Sequence, residues 1–415
     1  MDVIKIATAG SVDDGKSTLI GRILYDTGSL TDDKITQIEE KSRAMGFDYL
    51  DFSLATDGLM AEREQGITID VAHIYFSYQN KSFIIADSPG HVEYTRNMVT
   101  GASNSDMSIV LVDARKGVVE QTYRHLFINN LLGIKYIIVA INKMDLVDYD
   151  QQAYLDIKSE IETLLGRGEQ KDRQVVFVPV SALKGQNLLE KSEKMPWYNG
   201  ATLMSYMETF SEFNSEDEQL MRYPVQHVIR PKTEEYHDFR AFSGKVYGSQ
   251  IQVGDAVRVL PSEKTSTVKA IHSDMKAFDL AKKGASVSIE LTDEVQVSRG
   301  DMIVKQGEEP TVSKEIKAKI CWMDQDALSV GGKYYLQHNT NTVLAKVVDI
   351  QGELKSDFSG LDPQVDHLDL NQIGYVNLKL NKALCYDSFS THKQNGSFIL
   401  IDSKTNTTAG VGFIA

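Results

Sequence analysis

The sequence predicts a multidomain protein in which an N-terminal α/β domain is followed by two small antiparallel β-barrels. The first half of the 415-residue chain alternates short apolar runs with amphipathic stretches, which is typical of a mostly parallel sheet covered by helices on both faces. After Phe210 the chain changes to short β-type runs separated by turn residues, which is typical of small barrels. We therefore expect domains at 1–213, 224–308 and 313–415, with a polar linker at 211–223.

Apolar runs place the elements of the α/β domain. Val3–Ala9 is expected to be a buried strand, and Ser17–Tyr25 a helix with Leu19 and Ile23 on its apolar face. A second helix is expected to begin after Thr31, which is a suitable N-cap residue. The further buried strands are predicted at Ser82–Ala86, Met107–Val112, Tyr136–Ile141 and Val175–Pro179.

The two β regions are divided near Glu315. In the first, strands are expected at Gly244–Tyr247, Ala256–Leu260, Val287–Leu291 and Met302–Val304. In the second, strands are expected at Lys317–Trp322, Thr342–Ile350, Tyr375–Leu380 and Ser397–Ile401.

Composition narrows the classes of function. The formal charge is −14, so the chain has no general attraction to nucleic acid or to anionic lipid. Two isolated cysteines, Cys321 and Cys385, cannot form a disulfide framework or a structural zinc site, and we interpret both as small buried apolar residues. No signal-peptide pattern follows Met1, and no apolar run is long enough to span a bilayer. We therefore expect a cytoplasmic protein without membrane contact.

The first motif fits G-x-x-x-x-G-K-[ST] and lies between a predicted strand and a predicted helix. Its glycines let successive backbone N–H groups face phosphate oxygens, and the helix N-terminus adds its positive end. Lys16 is expected to reach the β- and γ-phosphates, and the Ser17 hydroxyl to bind Mg²⁺. We expect the carboxylates of Asp13 and Asp14 to point outward, so that only their N–H groups face phosphate. The motif comprises Gly10, Ser11, Val12, Asp13, Asp14, Gly15, Lys16, Ser17 and Thr18.

The second motif directly follows the apolar run 83–86. Asp87 at a strand end can hold Mg²⁺ directly or through water, and the Gly90 N–H can contact the γ-phosphate. In the polar stretch 62–70, Thr68 can bind Mg²⁺ when the γ-phosphate is present. The motif comprises Asp87, Ser88, Pro89, Gly90 and His91.

The remaining motifs select the base. The carboxylate of Asp145 can accept hydrogen bonds from N1 and N2 of guanine, a donor pair that adenine lacks. A backbone N–H from the loop after Val175–Pro179 can reach guanine O6. These two motifs comprise Asn142, Lys143, Met144 and Asp145, and Ser181, Ala182 and Leu183. Four motifs in this order, each after a strand, predict a P-loop GTPase domain that binds GTP and Mg²⁺.

These residues resemble the translational GTPase superfamily and, within it, the large GTPase subunits of bacterial sulfate adenylyltransferase (ATP sulfurylase). Elongation factors usually carry His where Asp14 stands and Thr where Ser17 stands, so the loop is more similar to that of the sulfurylase subunit. The resemblance rests on the stretches 10–22, 62–72, 94–103, 112–118 and 396–402.

The resemblance implies a GTPase domain followed by two barrels, and a division of labour between two subunits. A smaller ATP-binding subunit joins AMP to sulfate, and GTP hydrolysis offsets the poor equilibrium of that reaction. The resemblance also implies that Val12 and Ile67 form an apolar gate beside the attacking water and that His91 orients this water. Catalytic roles thus fall to His91, Lys16 and Thr68, and Mg²⁺ ligation to Ser17, Thr68 and Asp87.

Two other functions share the guanine motifs. An elongation-factor-like GTPase that delivers aminoacyl-tRNA would need a basic surface across the barrels, and the net acidity makes nucleic acid an unlikely partner. A regulatory GTPase without coupled chemistry would not co-purify with a small ATP-binding subunit in a heterodimer or larger complex. The sequence contains no S-G-G-x-D-S pyrophosphate loop and no second P-loop, which supports adenylyl transfer on a partner.

Overall fold

The computed structural model describes residues 3–55, 71–88, 95–168, 173–213, 220–231, 239–274 and 276–415. The chain forms two compact units. One comprises Met1–Asn214 with Lys355–Gly360, and the other comprises Ser215–Leu354 with Leu361–Ala415. No helix among the described residues is long and apolar enough to cross a membrane.

A six-stranded sheet forms the centre of the first unit, in the order β2-β3-β1-β4-β5-β6. Strands β1, β3, β4, β5 and β6 are parallel, and β2 adds an antiparallel edge. Every residue of β4 and β5 is buried, as the unbroken apolar runs predict. The strands are β1 (Val3–Ala9), β2 (Ala72–Tyr78), β3 (Lys81–Asp87), β4 (Met107–Asp113), β5 (Tyr136–Asn142) and β6 (Gln174–Pro179).

Helices cover this sheet and bury one apolar face each. Leu19, Ile20 and Ile23 of the first helix are fully buried in a core shared with Ile6 and Ile85. Thr31 occupies the N-cap of the second helix, but its side chain makes no capping hydrogen bond. The helices are α1 (Lys16–Asp26), α2 (Asp32–Ala44), α3 (Thr95–Ala102), α4 (Glu120–Leu131), α5 (Gln151–Gly166) and α6 (Leu203–Phe213), with 3₁₀ turns at Phe52–Ala55 and Met144–Val147.

Two closed barrels make up the second unit, as the sequence predicts. In the first barrel the strand order is β10-β15-β7-β8-β14-β11, and β10 pairs with β11 to close it. Its strands, with short flanking pairs, are β7 (Arg222–Ile229), β8 (Ala241–Lys245), β9 (Ile251–Gln252), β10 (Ala256–Leu260), β11 (Lys264–Ser273), β12 (Lys276–Phe278), β13 (Leu280–Ala281), β14 (Ser286–Leu291) and β15 (Met302–Lys305).

The second barrel has the order β18-β23-β24-β16-β22-β19 and closes through β18 and β19. All of the ladders in this second barrel are antiparallel. Because the first and last strands of each barrel pair with each other, neither barrel has an unpaired edge there. The strands are β16 (Thr311–Trp322), β17 (Leu328–Ser329), β18 (Lys333–His338), β19 (Asn341–Leu354), β20 (Leu361–Asp362), β21 (His367–Leu368), β22 (Ile373–Tyr386), β23 (Ser397–Asp402) and β24 (Thr408–Ile414).

A buried ion pair joins the two barrels. The Arg222 guanidinium, with 1% of its side chain exposed, donates two hydrogen bonds of 2.8 Å to the Asp387 carboxylate. A third N–H reaches the Glu308 carbonyl oxygen at 2.8 Å. Burial raises the pKa of Asp387, but the hydrogen bonds from Arg222 and Asn395 outweigh it, so the net pKa is lowered.

The predicted linker 211–223 is too long at both ends. Helix α6 continues to Phe213, and strand β7 already begins at Arg222.

Candidate functional site

The predicted nucleotide motifs meet at one edge of the first unit's sheet. They follow β1, β3, β5 and β6, and the first of them leads into helix α1. Parallel strands present their carboxyl ends at the same edge, which is where open α/β sheets bind ligands. The sheet order therefore brings together loops that lie up to about 170 residues apart in the sequence.

The loop before α1 has the backbone of a phosphate cradle. Gly15 has φ 90° and Asp13 has φ 70°, both in the left-handed region, and the Asp14 N–H donates to the Ser11 carbonyl at 3.1 Å. Alternation between right- and left-handed residues turns successive N–H groups to the same side, which forms a concave anion site. The N-terminus of α1 points its first N–H groups to the same place.

Lys16 lies at the bottom of this cradle with 8% of its surface exposed. Its ammonium group pairs with the Asp87 carboxylate at 2.7 Å and donates to the Ser88 carbonyl oxygen at 2.5 Å. The Thr8 hydroxyl also donates to Asp87 at 3.3 Å. The structure thus brings the predicted phosphate-binding lysine and the predicted Mg²⁺ ligand into direct contact.

Asn142 connects the phosphate loop to the base-side loops. Its side-chain amide donates to the Asp14 carbonyl at 2.8 Å and accepts from the Ala182 N–H at 2.9 Å. The side chain is 2% exposed, so both bonds lie away from water. One buried amide therefore holds three loops in register, which agrees with the order of the motifs.

Lys143 is fixed by two neighbouring loops. It donates to the Asp13 carbonyl oxygen and pairs with the Asp113 carboxylate at 3.1 Å. Burial raises the pKa of Asp113, but hydrogen bonds from Arg115 and Lys143 outweigh it and bring the pKa to about 2. Asp113 is therefore ionised and keeps the lysine stem in place. Sequence reasoning did not assign this residue a role, although it follows a buried strand as Asp87 and Asn142 do.

The base-side loops contain Asp145 and Ser181. The Ser181 hydroxyl donates to Asp145 Oδ1 at 2.6 Å, so the half-buried carboxylate has a fixed orientation. The Ala182 N–H is already used by Asn142, so contact between this N–H and a guanine oxygen requires a shared hydrogen bond. The Asp145 carboxylate, predicted to bind the base, is thus held in place by Ser181.

Arg22 supports the same loop from helix α1. Its guanidinium pairs with Asp26 at 2.8 Å and donates to the Leu183 carbonyl oxygen at 3.0 Å. A Cβ on Gly185 would lie 2.3 Å from this guanidinium, so the glycine makes room for it. Sequence reasoning included Arg22 only as part of the resembling stretch, because nothing in the sequence shows its contact with a loop about 160 residues away.

The burial of Asp14 differs from the prediction made from the sequence. We expected both loop carboxylates to point outward, and Asp13 is indeed exposed, but Asp14 is only 2% exposed. Its carboxylate accepts the Ser11 N–H at 2.7 Å. Burial raises the pKa of Asp14 to about 6, against the opposing effects of the Ser11 hydrogen bond and the Lys116 charge.

Several features of the site fit a nucleotide with Mg²⁺. The hydroxyl oxygens of Ser11 and Ser88 are buried and have no hydrogen-bond partner among the described residues. Buried hydroxyls of this kind are normally satisfied, and phosphate oxygens or metal-bound water would satisfy them. Half-buried Ser17 and Thr18 begin helix α1 beside Lys16. The predicted residues Ile67, Thr68, Pro89, Gly90 and His91 lie outside the described ranges.

The Gly15→Ala substitution tests this cradle. We expect affinity for guanine nucleotide to fall by roughly 10–100-fold, because a left-handed backbone costs a non-glycine residue about 1–3 kcal/mol. The added Cβ would also lie 2.5 Å from the Asn142 amide nitrogen. Gly28→Ala is the matched control, since Gly28 also has a positive φ but open space around its Cβ. Equal nucleotide affinities of the two variants in a fluorescence titration would contradict this view of the cradle.

Comparisons with known proteins agree with these features. Residues 1–228 match the family described as elongation factor Tu GTP binding domain, and residues 315–415 match the GTP-eEF1A C-terminal domain-like family. The sulfate adenylyltransferase subunit 1 of Francisella tularensis subsp. novicida is 46% identical over 417 residues, covering 100% of this chain and 87% of that protein. The bifunctional enzyme CysN/CysC of Mycobacterium tuberculosis is 43% identical over 413 residues, which covers 99% of this chain and 67% of the relative.

A solved structure supports the fold alone. The GTPase-like domain of Ski7 from S. cerevisiae, bound to GTP, aligns with a TM-score of 0.53 at 20% identity. The alignment covers 100% of this chain and 97% of that one. The arrangement of a GTPase domain followed by barrels is thus shared with a protein of distant sequence.

Proposed function

The chain belongs to the family of sulfate adenylyltransferase subunit 1, whose members carry an elongation factor Tu type GTP-binding domain, and from that premise we propose how it works. It is a GTPase that binds GTP with Mg²⁺ and acts as the regulatory subunit of sulfate adenylyltransferase. Its GTP hydrolysis drives formation of adenylyl sulfate and pyrophosphate from ATP and sulfate on a partner subunit. The relatives' names do not favour delivery of aminoacyl-tRNA.

The observation that carries this proposal is the Asn142 bridge. A buried amide ties the phosphate loop to the Ala182 loop, which supports a fixed separation between the proposed phosphate and base sites. Asp145 then provides an oriented acceptor on the base side. A site built around a fixed acceptor rejects a base that lacks the donor pair, so it selects guanine over adenine.

Lys16 has two roles in the proposed mechanism. With nucleotide bound, its ammonium exchanges the Asp87 carboxylate for β- and γ-phosphate oxygens, a charge-assisted contact. Asp87 is then free, with Ser17 and Thr68, to hold Mg²⁺. When bound, Mg²⁺ would neutralise charge on the phosphate oxygens.

Hydrolysis requires a positioned water. We assign His91 to orient it, with Val12 and Ile67 as apolar neighbours. Thr68 and Gly90 contact the γ-phosphate side and report its presence to the rest of the chain. These assignments rest on the family motif and on the position of Ser88, which lies beside Lys16 and only three residues before His91 in the sequence.

The partner is a small ATP-binding subunit that catalyses adenylyl transfer, and we place the complex in the cytoplasm. The nucleotide-binding motifs in the sequence support this division of GTP hydrolysis and adenylyl transfer between two subunits. The single P-loop of the chain is connected to Asn142 and so to a guanine-type site. Nothing else in the sequence matches a loop that could hold ATP with its α-phosphate exposed to sulfate.

A binding and turnover assay tests the proposed function. The isolated chain is expected to bind GTP and GDP, to bind ATP far more weakly, and to release phosphate from GTP slowly. A tagged chain should also co-purify with the small subunit of its own sulfate adenylyltransferase. Comparable affinities for ATP and GTP, or no complex with that subunit, would contradict the proposal.

A further inference from the structure

Asp14 places a carboxylate under the phosphate loop, where a negative charge is unexpected. A Cβ on Gly10 would lie 3.6 Å from the Asp14 Cβ and 3.1 Å from the Leu111 Cβ. The Asp14 side chain therefore lies between the loop and strand β4, not toward solvent. Its backbone N–H and its carboxylate bond the Ser11 carbonyl and N–H respectively, at 3.1 and 2.7 Å.

These two bonds close the loop on itself. Together with the Asn142 amide on the Asp14 carbonyl oxygen, they fix the loop without help from a ligand. Preformed loops bind with a smaller loss of conformational entropy, so this arrangement favours nucleotide binding. The same carboxylate carries a negative charge within the loop that is predicted to hold the phosphates, and like charges repel.

We propose that Asp14 is a positioning residue with two opposed effects: it preforms the phosphate loop through the Ser11 N–H, and its charge weakens nucleotide binding and speeds release. This inference rests on the proposed function, since it concerns guanine nucleotide in the same site. At separations of a few ångströms, two like charges in a protein with an effective dielectric constant of about 20 repel by several times the thermal energy.

The positive charges around Asp14 lower its pKa less than burial raises it. Lys116 acts on it from the loop after β4, and Lys143 from the loop after β5. Asp113 at the end of β4 acts in the same direction as burial and is itself paired with Arg115 and Lys143. The pKa of Asp14 lies near 6, so the carboxylate is ionised above that pH and neutral below it. Phosphates raise this pKa further, and nucleotide binding therefore takes up a proton near neutral pH.

The Asp14→Asn variant separates the two effects. The amide oxygen can still accept the Ser11 N–H, but the charge is gone. At about pH 8 we expect this variant to bind GDP and GTP roughly tenfold more tightly than wild type, which corresponds to one unit of pKa shift by the phosphates. Asp14→Ala lacks the acceptor and should bind more weakly than Asp14→Asn. Asp32→Asn removes the same charge from an exposed position in α2 and should match wild type.

The measurement is the dissociation constant of a fluorescent GDP from pH 5 to 8.5. The affinity ratio of Asp14→Asn to wild type should be largest at high pH and approach one below about pH 6, because protonated Asp14 is neutral. A ratio independent of pH, or tighter binding by wild type at pH 8, overturns the charge effect. Equal affinities for the Asn and Ala variants overturn the loop-closing effect.

Wild-type protein alone gives a second measurement that needs no variant. The dissociation rate of fluorescent GDP should rise between about pH 6 and pH 8, as Asp14 ionises. A rate that falls or stays constant over this range contradicts the inference even if the variants fail to fold. Absence of any guanine-nucleotide binding by wild type would instead contradict the proposed function, so the two failures are distinguishable.

Discussion

Replacing Asp145 by Asn is expected to change the preferred nucleotide from GTP to xanthosine triphosphate. The amide keeps one acceptor oxygen for N1–H, but its NH2 group meets the 2-amino donor of guanine; in xanthine a carbonyl stands at C2 and accepts from that NH2 group. A site that binds one polar pattern rejects a base that leaves its groups unpaired by roughly 10⁴-fold. The Ser181 hydroxyl can still donate to the amide oxygen at this position, so the loop should keep its conformation.

Binding titrations with GTP and xanthosine triphosphate measure this change. Asp148→Asn is the control, because Asp148 is an exposed acid close in sequence whose left-handed backbone suits Asn. The control should bind GTP as wild type does. Unchanged GTP affinity in Asp145→Asn, or an equal loss in the control, would contradict the assignment of Asp145 to the base.

Replacing His91 by Ala is expected to lower GTP turnover by roughly 10²–10⁴-fold, the range for a lost group that positions or accepts a proton. Ser88, three residues before His91 in the sequence, contacts Lys16 through its carbonyl oxygen at 2.5 Å. GTP affinity should change little, because the family motif assigns His91 to the attacking water and not to the base or the phosphate loop.

The His91→Gln variant shows what the histidine does. An amide can orient a water but cannot take its proton at neutral pH. Turnover restored by Gln, with a pH profile that no longer shows histidine titration, assigns an orienting role. Turnover as low as that of His91→Ala assigns proton transfer. A large rise in the GTP dissociation constant with intact turnover would remove His91 from the chemical step.

The sequence predicts the α/β domain because each motif follows an apolar strand whose last residues are buried. Strand β2 is missed for two reasons. Its residues are mostly exposed at the sheet edge, as in a loop, and its first residue, Ala72, is the last residue of the stretch 62–72 that carries the family resemblance. Strand β11 is missed because polar residues interrupt its apolar run, and its Lys residues are exposed on the barrel. Strand β24 is missed because Gly410 and Gly412 suggest a turn.

The glycines of β24 have a packing role that only the structure shows. A Cβ on Gly412 would lie 2.1 Å from the Phe398 ring, and one on Gly410 would lie 3.0 Å from the Trp322 ring. Glycine in a strand often marks such close approach. Contact partners of this kind depend on strand register, which short apolar runs do not determine.

The sequence likewise predicts only part of the candidate site. The predicted loops converge, but their mutual support by Asn142, Asp113 and Arg22 depends on sheet order, and no local pattern predicts it. Asp14 was expected to point outward because its loop is predicted to wrap the negatively charged phosphates. Its burial follows from the Ser11 hydrogen bond and from the space beside Gly10, both of which require the folded backbone.

Pyrophosphate release from ATP and sulfate tests the central claim most directly. The isolated chain should release none, the chain combined with the small subunit should release it, and GTP should increase that release. Coupling requires an element with two states that the γ-phosphate biases, so Thr68→Ala should bind GTP yet reduce the increase. If the isolated chain forms adenylyl sulfate, or if the reconstituted pair releases pyrophosphate at the same rate with and without GTP, the account is contradicted.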